Sequence, residues 1–458
     1  MKKSIGKIIV AAIVAVLAAA SVIAATSMQK NQTVIFTDSS GNEIGTVEYN
    51  GKEKKVKPVN EGYHDYISLA LEEAEKFYSE KNKADKQNPT ENFFMNVTTV
   101  ETNFSNFYFE KIRDGIAESG LEADTPFASV LVDRYGRVVA SCGYKDEAST
   151  VYSLYKTYAG SSIKPLSVYA PAIENGTVHW SSSVKDKPIK KIKLEAGTEQ
   201  EWPLNANGTY TGEDVLVCDA VYQSLNTVAV RVLQKLEIKT SIELLDEKLG
   251  MNLDSEKRII ETQDDDEIYG NIALGYLVDG VSPLEMAGYY QIFINSGRYT
   301  EPYSVASLTD IQGNVIEKKP ESEKVISSAT ASVMTKLLQG VVKAGGTGAD
   351  ADVHGMSIAG KTGTSEDNYD NWFVGFSPKF VCSVWHGYND EEVNSSHLIF
   401  SNIFRRFPKT DSHFVMAKGA EALIYCKKSG GIKGHGCRDT AIGYYIGAKV
   451  PEKCKLCQ

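Results

Sequence analysis

The sequence predicts an α/β fold: an antiparallel central sheet flanked by helices, with an all-helical subdomain beside it. Three stretches predict it. FASVLVDRYGRVVASCG, from Phe127, places two β-branched runs around Asp133-Arg134-Tyr135-Gly136, the pattern of a hairpin. DVLVCDAVYQSLNTVAVRVLQKL, from Asp214, represents a mostly helical middle section with apolar residues at helical spacing. MSIAGKTGTSEDNYDNWFVGFSPKFVCSVWHGY, from Met356, then returns to strand character. Strands at both ends with helices between them imply a sheet assembled from distant segments and a helical insertion at its side.

The elements follow in order along the 458 residues. At the start, Lys2, Lys3 and Lys7 precede a charge-free run from Ile8 to Ala25, close to the length that spans a bilayer as a helix. Residues 1–26 are therefore expected to be a single membrane anchor, with a cleavable signal segment as the rival reading. Either way the chain is exported, and its catalytic part is expected at the cell membrane on the extracytoplasmic side. Residues 27–91 read as a small segment and linker: VIFTDSSGNEIGTVEYNGKEKKVKP alternates like short strands, and YHDYISLALEEAEKFY repeats like a helix. In that helix Tyr66, Ile67, Ala70, Leu71, Ala74, Phe77 and Tyr78 share a face. The apolar-poor KNKADKQNPTEN closes the segment, and the main domain is expected over 92–425. It opens with FFMNVTTVETNFSNFYFEKIRDGIAESG, read as a strand and then a helix.

A formal net charge of -10, with no concentrated basic stripe, argues against a nucleic-acid partner. Cys142, Cys218 and Cys382 sit in apolar contexts and read as small core residues. Cys426, Cys437, Cys454 and Cys457 crowd the tail, 426–458. In an oxidising exterior they are expected to form two disulfides in one of three pairings. Zinc is the competitor, because Cys454-x-x-Cys457 has ligand-like spacing and His435 lies nearby. No cofactor or metal is expected at the site of chemistry.

The stretch TYAGSSIKPLSVYAPAIENG sets Ser161-x-x-Lys164 at the front of an apolar helical run. Serine and a lysine three positions on share a helix face, so the amine can reach the hydroxyl. The pattern alone is common, since Ser27-x-x-Lys30, Ser153-x-x-Lys156 and Ser182-x-x-Lys185 also match. Pro165 sets the first apart. A proline is harmless only in the first turn, so this helix must begin near Ser161, with free N–H groups and the positive end of its dipole beside the hydroxyl. Pro171 should bend the helix one or two turns later. Alone, the pair reads as well as an N-cap beside a surface lysine. Ser224-Leu225-Asn226 before an apolar helix and Lys361-Thr362-Gly363-Thr364 on a strand shift that balance.

Taken together in this order, Ser161-x-x-Lys164, Ser224-x-Asn226 and Lys361-Thr362-Gly363 resemble the serine acyltransferases that include penicillin-binding proteins and β-lactamases. GSSIKPLSVYAPAIENG, SLNTVAVRV, LGYLVDGVSPLEMAGYYQIFINSGRY and AGKTGTSEDNYDNWFVGFSP are most similar to the transpeptidase domain of bifunctional, class A penicillin-binding proteins. The space ahead of that domain is too short for the glycosyltransferase such proteins carry, and 27–91 is expected to be its relic.

The resemblance implies a peptidoglycan D,D-transpeptidase that attacks D-Ala-D-Ala stem peptides through a serine acyl-enzyme and is acylated by β-lactams. Ser161 would be the nucleophile and Lys164 its base. Ser224 would relay a proton, and Asn226 would orient Lys164. Lys361, Thr362 and Thr364 would hold the substrate carboxylate, and Gly363 would let the substrate backbone approach. The backbone N–H groups of Ser161 and Thr364 would form the oxyanion hole. Implied partners are stem peptides, β-lactams, the cell membrane, and division or elongation proteins. A D,D-carboxypeptidase or a β-lactamase of the same superfamily is the alternative; SIELLDEKLG offers Glu243 but lacks the followers of a deacylating segment. A non-catalytic cell-wall sensor would have no need of Lys164.

Overall fold

The computed structural model describes residues 32–457 apart from 51–52, 85–93, 101–104, 123–124, 144–149, 194–196, 263–264, 366–367, 388–395 and 410–411. The expected membrane anchor falls outside the described residues. Among those described, no helix is long and apolar enough to cross a membrane. The chain forms two compact units.

The smaller unit holds a six-stranded sheet. Strands Gln32–Thr37, Glu43–Asn50 and Glu53–Pro58 run antiparallel in sequence order, as their turn residues predict. Phe94–Thr99 lies parallel to the first of them, and the hairpin Val305–Asp310/Val315–Glu317 returns from far along the chain to complete the sheet. The expected domain start at residue 92 assigns Phe94–Thr99 to the larger domain, whereas here the strand sits in the smaller unit. Its antiparallel partner is some two hundred positions away, a pairing that no local pattern announces. Helix His64–Ala84 covers the sheet, and all seven residues read as one face are buried. Ile67 packs so closely that a Cβ on Gly45 would meet its Cδ1 at 2.6 Å.

The larger unit is built on a five-stranded, wholly antiparallel sheet, which agrees with the expected fold class. Its spatial order is Ala359–Thr364, Asn371–Phe376, Phe380–His386, Phe127–Asp133, Val138–Gly143. Every residue of Phe127–Asp133 is buried, because helices cover both faces. Phe376 points to one face and meets Phe293 of helix Pro283–Ile294, with ring centroids 6.0 Å apart. Phe373, of opposite parity, meets Phe400 of helix Ser396–Phe404 at 4.9 Å. Helix Pro283–Ile294 starts with a capping box: Ser282 Oγ accepts from Glu285 N at 3.2 Å, and Ser282 N donates to Glu285 Oε2 at 2.8 Å. The helical part at the side of the sheet includes Val217–Tyr222, Asn226–Leu236 and Asp265–Leu274. Strand Ala420–Cys426 pairs with Thr440–Ile446 and lies on helix Ser328–Val341.

Candidate active site

Ser161 sits on a helix whose geometry changes along its length. Gly160–Ile163 is one tight 3₁₀ turn, Pro165–Tyr169 is wound as a wider π turn, and Ala170–Asn175 is α-helical up to the left-handed cap Gly176. The helix thus starts one residue before the predicted position. Just ahead of Pro171, where a bend is expected, the helix widens into the π turn. Pro171 has no N–H for Ser167 O, and Ser241 Oγ donates to that carbonyl instead, at 2.6 Å. The Tyr290 hydroxyl likewise donates to Ser162 O.

The segment that delivers Ser161 is pinned from three directions. Thr157 exchanges backbone hydrogen bonds with Val281, Thr157 Oγ1 donates to Asp370 Oδ1 at 2.6 Å, and Trp372 Nε1 donates to Tyr158 O at 2.8 Å. Gly160 takes a positive φ of 52°. Its backbone lies against Gly275, whose Cβ would meet Gly160 O at 2.2 Å, and only glycine tolerates both the dihedral and the approach.

Lys164 and Lys361 are both fully buried and converge on Ser224 from distant parts of the chain. Lys164 Nζ donates to Ser224 O at 2.8 Å and to Asn226 Oδ1 at 2.5 Å, and its third neighbour is Ser224 Oγ at 3.4 Å. Lys361 Nζ donates to the same Ser224 Oγ at 2.8 Å and to Thr362 O at 2.9 Å. Ser161 Oγ is not among the hydrogen-bond partners of Lys164 and stays half-exposed on the cavity wall. Ser224 itself holds a φ of 56°, a left-handed conformation unusual for serine.

Burial, and then the neighbouring Lys361 cation, push Lys164 well below the ordinary lysine value. Burial lowers Lys361 from 10.5 to about 7. A lowering of that size disfavours the ammonium by about 5 kcal/mol. A neutral amine at 164 has two N–H bonds, and two good acceptors take them. Its lone pair is left for a hydroxyl.

Asn226 opens helix Asn226–Leu236, whose N-cap Leu225 offers no side-chain acceptor. Buried Asn205 supplies one from a distance: its Oδ1 accepts from Asn226 N at 2.9 Å and Thr227 N at 3.4 Å. Its Nδ2 donates to Asp186 Oδ1 at 2.9 Å, and Thr227 Oγ1 donates to the same carboxylate oxygen at 2.6 Å. This Asp186–Asn205–Thr227 network fixes the helix start and with it the amide that faces Lys164. Nothing in PLNANGTYTG marks Asn205 as more than a turn residue, so reading the sequence missed it.

Strand Ala359–Thr364 is an edge of the sheet and presents Thr362, Gly363 and Thr364 to the cavity. Thr362 Oγ1 shares a hydrogen bond of 2.8 Å with Thr347 Oγ1, a residue the sequence also left unmarked. Packing gives Gly363 a further reason to lack a side chain, beside the substrate approach expected of it. A Cβ there would meet Ala159 O at 2.5 Å and Ser162 N at 2.8 Å, so its bare face packs on the Ser161 turn. Together Ser161, Ser224, Asn226 and this strand line a cavity of about 1090 Å³, walled by Trp202 and Tyr276. The structure therefore brings together all eight residues predicted from the sequence.

Residues 128–405 match the family model described as penicillin binding protein transpeptidase domain. The chain is 32% identical over 355 residues to penicillin-binding protein 1A of Clostridium botulinum, covering 73% of this chain and 42% of that protein. It is 30% identical over 380 residues to penicillin-binding protein 1F of Bacillus subtilis, covering 79% and 49%. The chain thus spans about half the length of these relatives or less. Its fold is similar to a solved D,D-transpeptidase domain of a peptidoglycan glycosyltransferase from Eggerthella lenta. The TM-score is 0.59 at 17% identity, over 82% of this chain and 98% of that one.

Proposed function

Because the chain belongs to the penicillin-binding protein transpeptidase family, we propose that it is a peptidoglycan D,D-transpeptidase working outside the cytoplasm through an acyl-enzyme on Ser161. One observation carries this reading: two fully buried lysines from distant segments meet on Ser224 Oγ beside a cavity that also holds Ser161.

Ser161 Oγ attacks the carbonyl carbon of the penultimate D-Ala and gives its proton to neutral Lys164. The tetrahedral oxyanion lies between the backbone N–H groups of Ser161 and Thr364, where one such donor is worth about 10²–10³ in rate. The departing D-Ala amine must gain a proton. Lys164 returns it through Ser224, whose own proton is free for that relay because Lys361 donates to its oxygen. Lys361, Thr362 and Thr364 hold the terminal carboxylate. An amine from a second stem peptide then attacks the ester and restores Ser161.

The test is to supply the full chain with stem peptides ending in D-Ala-D-Ala together with an acceptor amine. Release of D-Ala with an equal amount of cross-linked product is expected. D-Ala release alone would make it a carboxypeptidase, and rapid turnover of penicillin a β-lactamase. No release and no penicillin adduct would overturn the reading.

The packing of Gly363 gives a prediction of its own. Gly363→Ala forces the edge strand off the Ser161 turn, and a displacement near 1 Å costs roughly 100-fold in rate. Stopped-flow acylation by a chromogenic penicillin should show that loss with the melting temperature lowered only modestly. An unchanged rate would mean that the turn yields instead.

A further inference from the structure

Beyond the catalytic site, the tail carries four sulfurs in one cluster. Cys426, Cys437, Cys454 and Cys457 are free, not paired as expected from an exported chain, and their sulfur atoms all lie within 4.8 Å of one another. His435, the other candidate ligand, is not part of the group. We propose that these four cysteines form a tetrahedral thiolate site for one structural zinc ion.

The distances fit that ion. Thiolates about 2.3 Å from zinc at tetrahedral angles stand about 3.8 Å apart. Cys426 Sγ and Cys457 Sγ are 3.7 Å apart. The backbone fits as well, since Gly434 N donates to Cys437 Sγ at 3.3 Å. N–H donors aimed at sulfur orient a thiolate ligand and spread its charge. Binding converts four thiols to thiolates and releases four protons, leaving a net charge of −2 on the complex. Lys428, Lys433 and Lys453 lie near the ligands in sequence and carry the opposite charge, while Lys427 pairs with Asp439 at 3.6 Å and Lys455 with Glu452.

The tail also has need of a staple. Its hairpin is only partly buried, and the buried apolar residues described beyond position 420 are only Tyr425, Cys426, Cys437 and Tyr445. A two-stranded hairpin with so small a core is marginal alone. The metal would tie three pieces of chain together: the end of strand Ala420–Cys426, the loop before Thr440–Ile446, and the last residues. That lobe is useful because it rests on the catalytic scaffold. Tyr425 lies against Cys218, Oη to Sγ 3.6 Å, on the helix that leads to Ser224, and Lys449 donates to Glu174 O at the far end of the Ser161 helix.

The experiment is elemental analysis of the full chain purified without added metal or chelator, with alkylation of the denatured chain in the presence of chelator but no reductant. One zinc per chain is expected, with all seven cysteines alkylated and a melting temperature that falls on chelation and returns with zinc. The double variant Cys454→Ser/Cys457→Ser should bind none. Should that variant fail to fold, cobalt exchanged into the native chain reports the same site, through thiolate-to-cobalt charge-transfer bands and the ligand-field bands of tetrahedral geometry. A chain four hydrogens lighter with three alkylated cysteines would hold two disulfides, and the site would be overturned. Free thiols that take up neither zinc nor cobalt would also overturn it, and iron in place of zinc would overturn the choice of ion. None of these readouts depends on the transpeptidase reading.

Discussion

Ser161→Ala is expected to remove the covalent penicillin adduct altogether. Wild-type chain incubated with a penicillin should gain the mass of one drug molecule, and the variant none. The expected loss in acylation rate is at least about 10⁴-fold, because the variant lacks the proposed nucleophile. The variant should remain folded. The Ser161 side chain is half-exposed and makes no hydrogen bond to Lys164, so its removal should change stability by less than about 0.5 kcal/mol. Two neighbouring serines sharpen the test. Ser162 Oγ is buried and donates to Ala159 O at 2.7 Å, so Ser162→Ala should cost stability and keep the adduct. Ser224→Ala removes the relay and leaves the nucleophile, so the adduct should form slowly. An adduct on Ser161→Ala would remove the proposed nucleophile.

The site was legible in the sequence because its chemistry lies in short local spacings. Pro165 placed the start of the Ser161 helix, Ser224-x-Asn226 opened a second helix, and Lys361-Thr362-Gly363 lay on a strand. The helix face from Tyr66 to Tyr78 was equally local, and every residue assigned to it is buried. What escaped was non-local. The hairpin Val305–Glu317 joins a sheet whose other strands lie before residue 100, and only long-range pairing creates that register. Asn205 caps a helix twenty residues downstream, which a loop rich in Asn, Gly and Thr conceals. Gly363 shows a subtler limit: the residue was found, but the backbone that crowds it comes from the Ser161 turn, a contact visible only in the fold. The tail cysteines show the same limit in another form. Compartment argued for disulfides, while the placement of the sulfurs depends on how three strands of tail come together.

Lys164→Met tests the base and the buried charge in one variant. Methionine nearly fills the volume of lysine without its amine, so the cavity persists while the proton acceptor is lost. Acylation of Ser161 should slow by about 10²–10⁴-fold, the range for loss of a positioned general base. Stability should respond in the opposite sense to pH from that of a surface lysine. In the folded wild type both Lys164 and Lys361 hold their protons less tightly than in the unfolded chain. The unfolded state therefore binds more protons between the folded values and about 10.5, and wild-type stability gains from these groups as pH rises through that window. Lys164→Met lacks one of the two. Wild type should consequently gain on the variant by up to about 1.4 kcal/mol per pH unit between pH 7 and 10, read from denaturant midpoints. In activity, the same two amines give kcat/KM a bell shape. The acid limb is protonation of Lys164, which burial and then the repulsion of the Lys361 cation hold well below the ordinary lysine value. The alkaline limb is loss of the Lys361 charge that holds the substrate carboxylate, near about 7 because kcat/KM reports the free enzyme. Lys361→Met should lose the alkaline limb, raise KM and move the acid limb upward, because the repulsion that helps lower Lys164 is gone. A variant at position 164 that acylates at the wild-type rate, or a stability gap that does not change with pH, would show that this amine carries neither the proton nor the buried charge.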